Sequence, residues 1–376
     1  VKSGPPFGAA FSLPAINDLR RKGLRPAASP GTDLPVTHPI RPASPALTAL
    51  GWTEFYADQL GPGEERLLPL RVATVHRSRL TAVGPEGPVK PHLPPQINTA
   101  DLAVGDWVLM DADTRLLVRR LDRKTLLQRR PEGTRPLQLI AANIDTLFIV
   151  TSCNADFNPA RLERYLALAN EAGTDPVIVL SKADQVADAE PFRQKAAALQ
   201  RGLPVVSLNG KAPEAAQVLA PWCGPGRTVA LIGSSGVGKS TLLNTLAGLD
   251  ADSAQATGSI REDDAKGRHT TTSRSLHPIR GGGWVIDTPG MRTLHVSDAA
   301  AGIEILFAEI TELAPHCRFR DCTHAHEPGC AVRTAVAEGR LDPARLDRWR
   351  KLHDENRANS QASDPRTKGR PGRRPR

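Results

Sequence analysis

The stretch Gly233-Ser234-Ser235-Gly236-Val237-Gly238-Lys239-Ser240 constrains this chain more than any other. It follows an apolar run, Thr228-Val229-Ala230-Leu231-Ile232, and leads into Thr241-Leu242-Leu243-Asn244-Thr245-Leu246-Ala247 before Gly248. A buried strand, a glycine-rich turn and a helix, in that order and spacing, make a P-loop. Glycines let the backbone wrap so that its N–H groups, with the helix N-terminus, converge on phosphate oxygens. Gly233 through Thr241 are therefore the candidate phosphate-binding residues. Lys239 is placed to neutralise the β- and γ-phosphates, and the Ser240 hydroxyl to ligate Mg²⁺.

Three further motifs surround this one. Trp284-Val285-Ile286 reads as a strand ending in Asp287-Thr288-Pro289-Gly290. An acid at that strand end can hold Mg²⁺ through water, and the Gly290 amide can sense a γ-phosphate. Between the P-loop and this strand lies Gly267-Arg268-His269-Thr270-Thr271-Thr272. Thr271 or Thr272 is expected to reach Mg²⁺ when a γ-phosphate is bound, which makes the segment a switch; spacing does not separate the two. Ser181-Lys182-Ala183-Asp184 directly follows the apolar strand Val177-Ile178-Val179-Leu180. The Asp184 carboxylate can accept from both the N1–H and the exocyclic amine of guanine, whereas adenine presents neither pattern. The motif usually begins with Asn, so Ser181 is expected to cost an amide contact and weaken the base site without reversing its preference. Ser207-Leu208-Asn209-Gly210, after another short strand, is expected to close over the base. These motifs stand in permuted order, the base motif before the P-loop and DTPG after it. Permutation is tolerable because domain termini often lie close together. It attaches whatever follows Gly290 directly to the strand that senses the γ-phosphate.

The rest of the chain arranges itself around this core. Ile144 to Val150 is a near-continuous apolar strand; Asn158 reads as an N-cap, Pro159 as the first helical residue and Gly173 as the stop. Strands alternating with helices predict a parallel sheet covered on both faces. Residues 47–140 carry short strand patterns with turn chemistry at Gly84-Pro85-Glu86-Gly87 and at Gly105-Asp106, which fits a small β-barrel of the OB type. Arg115 to Arg135 holds eight basic residues against Asp122 and Glu132, a surface suited to single-stranded nucleic acid; Trp107 reads as a core residue.

Charge is concentrated at the ends. Val1 to Pro45 has six Lys/Arg against two Asp, and Arg366 to Arg376 has six basic residues and no acid, so these ends alone exceed the net +9 of the chain. Residues 1–46 and 357–376 are expected to be disordered basic arms that attract a polyanion. No uncharged apolar run reaches bilayer length, and a membrane protein is not expected. Cys317, Cys322 and Cys330 fall in one window with His324, in the spacing C-x₄-C-x-H-x₅-C. Three thiolates and one imidazole suit a closed tetrahedral Zn²⁺ site, with His316 and His326 as neighbouring alternatives. Cys153 and Cys223 stand in apolar surroundings and read as buried bystanders.

The permuted order, with Cys317-Arg318-Phe319-Arg320-Asp321-Cys322-Thr323-His324 and Glu327-Pro328-Gly329-Cys330, resembles the small-ribosomal-subunit-dependent GTPase family known as RsgA or YjeQ. The likeness spans roughly Leu47 to His353. It implies an N-terminal OB-fold barrel (47–140), a central α/β circularly permuted P-loop GTPase domain (141–295) and a mainly helical zinc-binding extension (296–356). It also implies GTP, GDP and Mg²⁺ as ligands, one structural Zn²⁺, contact with the small ribosomal subunit and its RNA, a cytoplasmic location and a monomer away from the subunit. The activity implied is GTP hydrolysis stimulated by that subunit late in its maturation. Met291 stands where many GTPases place a water-orienting Gln, and a thioether cannot hold the attacking water. Similar proteins use a histidine in the switch region, which makes His269 the candidate catalytic residue. An RNA-binding scaffold with nucleotide as a structural element, and a P-loop ATPase, are the competing classes.

Overall fold

The computed structural model describes residues 44–130, 137–248, 274–288 and 296–361. Its centre is a sheet in the order β10 (Val205–Ser207), β9 (Asp175–Ser181), β8 (Thr146–Ser152), β11 (Thr228–Ile232), β13 (Trp284–Asp287) and β12 (Ser275–Pro278). β8, β9, β10, β11 and β13 run parallel, and β12 is antiparallel to β13. Every residue of β8 and β11 is buried, as the unbroken apolar runs require of strands covered on both faces. Successive side chains go to opposite faces. Leu147, Ile149, Ile178, Leu180, Ala230 and Ile286 enter one core, while Phe148, Val150, Val177, Val179, Val229 and Val285 enter the other.

Helix α3 (Pro159–Ala172) covers the first face through Leu162, Tyr165 and Leu166. It starts where Asn158 Oδ1 accepts from Arg161 N at 3.1 Å and stops at left-handed Gly173, as the sequence predicts. The short helices α4 (Glu190–Ala197) and α5 (Glu214–Leu219) flank β10, and α6 (Lys239–Ala247) covers the second face with Leu242, Leu243 and Leu246.

Through Thr74 opposite Ser275 of β12, the sheet continues into an antiparallel lobe of β1 (Leu68–Val75), β2 (Leu80–Gly84), β3 (Gly87–Val89), β4 (Trp107–Met110) and β5 (Leu117–Arg120), after α1 (Pro45–Ala49) and α2 (Glu54–Ala57). Leu70, Val72, Leu80, Val108 and Leu117 fill its concave side, and Trp107 is core, 1% exposed, as expected. The barrel expected over 47–140 is not closed. The stretch after β3 and the residue before β5 meet only at an isolated bridge, His92 to Leu116, and β3 and β5 themselves do not pair. β3 is three residues long, and Pro91, Pro94 and Pro95 follow it without an N–H to extend a ladder. β6 (Leu126–Arg129) and β7 (Gln138–Ala142) pair with each other as a separate hairpin.

Beyond the sheet come α7 (Ala300–Leu306), α8 (Ala308–Leu313), the cysteine-bearing loop, α9 (Ala331–Ala337) and α10 (Pro343–Gln361). α10 runs through Gln361, into the stretch where a disordered tail was expected. The remainder of both basic arms lies outside the described residues. Among the described residues, no helix is long and apolar enough to cross a membrane.

Candidate functional site: a phosphate loop, a base cavity and a cysteine cluster

β11 delivers the chain into the glycine turn at Gly233, where φ is +145° and a Cβ would stand 2.1 Å from Val150 O. Only glycine lets the loop pass this close to the end of β8. Gly238, at φ +95°, precedes the first residue of α6. Lys239 Nζ donates to Gly233 O at 2.8 Å and Ser234 O at 2.5 Å, so the ammonium sits over the turn itself. Ser235 and Ser240 are exposed on the loop, Val237 is buried beneath it, and Gly236 takes φ +81°. Asp287 ends β13 in register with Leu231, which brings its carboxylate-bearing residue alongside the strand that feeds the P-loop.

Ser181 is the last residue of β9, with Lys182 in the left-handed region at φ +55° and Ala183–Gln185 forming a 3₁₀ turn. Ala183 N donates to Leu208 O at 3.3 Å, which joins the turn to the loop after β10. A cavity of about 180 Å³ lies between them, lined by Lys182, Asp184, Asn209, Lys211, Gly238 and Thr241 among others. The base-motif aspartate and the start of the P-loop helix thus share one cavity. Thr245 Oγ1 donates to Gly210 O at 2.8 Å, fastening the covering loop to α6. Ser207 lies on β10 outside the lining, with its buried Oγ unpartnered. The residues after it, Leu208 to Lys211, face the cavity instead.

Ser181 has backbone partners that the sequence did not announce. It is 4% exposed, and its Oγ lies 2.6 Å from Val237 O and 3.1 Å from Thr151 O. Its hydroxyl ties the ends of β8 and β9 to the P-loop, and the residue also lines the cavity beside Lys182 and Asp184.

Between α8 and α9, Cys317, Cys322, His324 and Cys330 place one ligand atom each within 4.8 Å of one another. The Cys317 and Cys330 sulfurs are 3.8 Å apart, and His324 Nδ1 is 3.5 Å and 3.4 Å from them. A tetrahedron with Zn–S bonds of ~2.3 Å has edges of about 3.8 Å, and slightly shorter ones to nitrogen, so this donor set fits Zn²⁺. Burial pushes the Cys317 thiol up, but the backbone N–H groups of Val332 and Ala331 and the neighbouring Cys330 and Cys322 thiols together hold it below its ordinary value. His316 and His326 lie outside the cluster.

Comparison with known proteins gives a consistent answer. The RsgA GTPase family model matches residues 120–297. The small ribosomal subunit biogenesis GTPase RsgA of Mesorhizobium japonicum is 64% identical over 327 residues, 87% of this chain and 94% of that protein. The chain belongs to the RsgA GTPase family. A Vibrio parahaemolyticus relative, small ribosomal subunit biogenesis GTPase RsgA 2, is 47% identical over 308 residues, 81% of this chain and 84% of its own. YjeQ from Thermotoga maritima superposes with a TM-score of 0.57 at 26% identity, over 77% of this chain and 98% of that structure. YloQ, described as a circularly permuted GTPase, has the same fold, with a TM-score of 0.56 over 80% of this chain and 99% of its own at 22% identity.

For this RsgA-family chain, His269, Thr270, Thr271, Thr272, Gly290 and Met291 lie outside the described residues. Two sets of residues were missed in the sequence. Tyr165 on α3 hydrogen-bonds Ser234 of the P-loop, while burial raises its phenol above the ordinary value. Four side chains of α10 grip residues 296–299, where the described chain resumes after 288. Glu355 Oε1 accepts from Val296 N at 3.3 Å, Asn356 Oδ1 from Ala299 N at 3.0 Å and Ser360 Oγ from Asp298 N at 2.9 Å, while Asn359 Nδ2 donates to Val296 O at 2.8 Å. The same helix reaches the cysteine cluster, where Arg350 donates to His324 O and the Trp349 ring lies 5.4 Å from the His324 ring.

Proposed function

We propose that this chain binds a guanine nucleotide and hydrolyses GTP to GDP and phosphate, and that it acts in the late maturation of the small ribosomal subunit, which stimulates the hydrolysis. The observation that carries the nucleotide reading is the cavity of about 180 Å³ shared by Asp184 and the P-loop residues Gly238 and Thr241. A base held by Asp184 there has its phosphates over the turn from Gly233 to Ser240, where Lys239 meets them. Guanine offers two donors to the Asp184 carboxylate; adenine leaves it unpaired and desolvated. Ser240, Asp287 and one of Thr271 and Thr272 would hold Mg²⁺, which neutralises charge on the β- and γ-phosphates. Cys317, Cys322, His324 and Cys330 would hold Zn²⁺, which supplies a closed structural node for the loop between α8 and α9.

The functional division follows: an open OB-type sheet over 47–140, the GTPase core over 141–295, the zinc-binding extension over 296–356 and basic arms at either end. The names of the relatives support the small subunit as partner. The basic stretch from Arg115 to Arg135 and the basic arms support contact with its RNA, off which the chain is a cytoplasmic monomer. His269 orients the attacking water once docking orders the switch, since Met291 cannot. Loss of the γ-phosphate then relaxes the chain after β13, and the α10 side chains that grip Val296–Ala299 carry that change to the extension.

Turnover of GTP and ATP, with and without purified small subunits, tests this reading. GTP hydrolysis that rises with subunits, with ATP inert, is the expected result. Equal turnover of ATP points to a general NTPase, and GTP binding without stimulated turnover points to a scaffold. Full stimulated turnover by His269→Ala in a single-turnover assay excludes the histidine.

A further inference from the structure

A second cavity among the described residues shares no lining residue with the nucleotide site. It occupies about 340 Å³ between the β6–β7 hairpin, α3 and the turn before α7, a volume in the range of ligand sites. Its ionic lining is Arg123, Lys124, Arg129, Arg130, Glu171 and Asp298, four cations against two carboxylates. Several of these groups are committed elsewhere. Arg123 holds Asp106 through both Nε and Nη2, the Lys124 ammonium sits over the rings of Phe55 and Tyr56, and Glu171 accepts from Gly302 N.

Arg130 is different. Its Nη2 meets Asp298 Oδ2 at 2.8 Å, while its Nε is buried and has no hydrogen-bond partner among the described residues. Elsewhere in this chain Arg119, Arg123, Arg164 and Arg193 each engage a carboxylate through the Nε and Nη2 fork together. The Arg130–Asp298 pair is therefore half made. A guanidinium fork is completed by an anion that presents two oxygens side on, which a phosphodiester does. The same hairpin region carries the excess of arginine and lysine from Arg115 to Arg135, which raises the local potential for a polyanion.

We infer that this cavity is a phosphodiester site, in which a phosphate of single-stranded RNA displaces the Asp298 carboxylate and takes both Nε and Nη2 of Arg130. This rests on the RNA-contact part of the function proposed above. Asp298 is the stand-in anion of the RNA-free protein. Its backbone is at φ +55° with its N–H on Ser360, inside the segment that α10 grips. RNA binding thus releases that segment from the hairpin while α10 still holds it, and docking reaches the chain that leaves β13.

The test is anisotropy titration of the full chain with a labelled oligouridine across a salt series. Asp298→Asn removes the competing charge and keeps the shape. It is expected to tighten binding about threefold, the scale of an exposed ion pair. Arg130→Gln is expected to weaken binding and flatten the log–log salt dependence by about 0.7, one single-strand phosphate contact. The double variant should match Arg130→Gln, because Asp298 acts only through Arg130. If wild type binds the oligomer and Asp298→Asn leaves affinity unchanged, or the two effects simply add, the site is refuted while the RNA reading stands. If wild type does not bind it, both fall. Competition by inorganic phosphate at matched ionic strength that is as effective as added RNA overturns the RNA assignment in favour of a free anion.

Discussion

Ser181→Ala tests whether that hydroxyl belongs to the phosphate loop or to the base. The serine has one proton to give and two carbonyls in reach, at 2.6 Å and 3.1 Å, so the full bond goes to Val237 O. Removing it deletes one hydrogen bond, about 1 kcal/mol net, and leaves a buried carbonyl short of a partner, for a total of roughly 1–2 kcal/mol. Val237 sits inside the P-loop, so the loss falls on the geometry that receives the phosphates. At 1.4 kcal/mol per tenfold, GDP and GTP should each dissociate about five- to thirtyfold more readily. The preference for guanine over adenine should hold, because Asp184 is untouched. Ser181→Asn, with two amide protons for the two carbonyls, should restore or exceed wild-type affinity. Stopped-flow release of a fluorescent GDP analogue, with an adenine analogue alongside, reads both quantities. If Ser181→Ala leaves release unchanged, or reduces base discrimination while sparing affinity, the tie to Val237 is not what the residue does.

Glu355→Gln removes the carboxylate that joins Val296 N to Arg164, and hydrogen exchange at residues 296–299 should quicken by about tenfold with little change in the central strands. Chelating metal from the holoprotein, or replacing Cys330 with Ser, should lower Tm by on the order of 5 °C and expose residues 317–330 to proteolysis, as a closed structural site requires. Glu64 is held at about 2 by its hydrogen bonds to Arg119, against the opposing effect of burial and with help from Gly61 N. The stability it contributes is complete above its ordinary value near 4.5 and is lost as pH falls toward 2, so Glu64→Gln should be less stable at neutral pH and equal to wild type near pH 2. With both partners partly exposed, the neutral-pH gap should be below about 1 kcal/mol in urea melts.

The sequence made the chemistry readable wherever local pattern and function coincide. The P-loop is a strand, a turn and a helix in consecutive residues, α3 announces both its ends, and the cysteine cluster sits within fourteen positions, Cys317 to Cys330. It left open which way one side chain turns: Ser181 lines the base cavity, and its short side chain also reaches the carbonyls of Val237 and Thr151. It was silent where partners are remote in sequence. Tyr165 looks like any core aromatic of α3, and its bond to Ser234 exists only because β8, β9 and β11 lie side by side. Glu355, Asn356, Asn359 and Ser360 have the spacing of a solvated helical face, and nothing in that pattern says that a backbone segment lies against it. The barrel expectation rested on short strand patterns and could not see that prolines after β3 end its ladder before closure.

The buried ions of α10 explain how that grip is kept in register. Glu163 on α3 is 2% exposed and meets Arg345 at 2.7 Å and Arg348 at 2.9 Å, while Arg345 also holds Glu309 and stacks on Phe307 at 4.0 Å. Such pairs add little net stability, because desolvation offsets most of the attraction. What they do supply is a single permitted position: sliding α10 by one residue would turn its face by about 100° and strand Glu163 without a partner. Fixed at that end, the helix sets Arg350 on the His324 carbonyl and, ten residues or about 15 Å further on, Ser360 on Asp298. Those last residues lie against Val296–Ala299, the described stretch that resumes after β13. A displacement of 296–299 therefore cannot be absorbed within α10, whose register is locked, and has to appear as a movement of the helix together with the cysteine loop it carries.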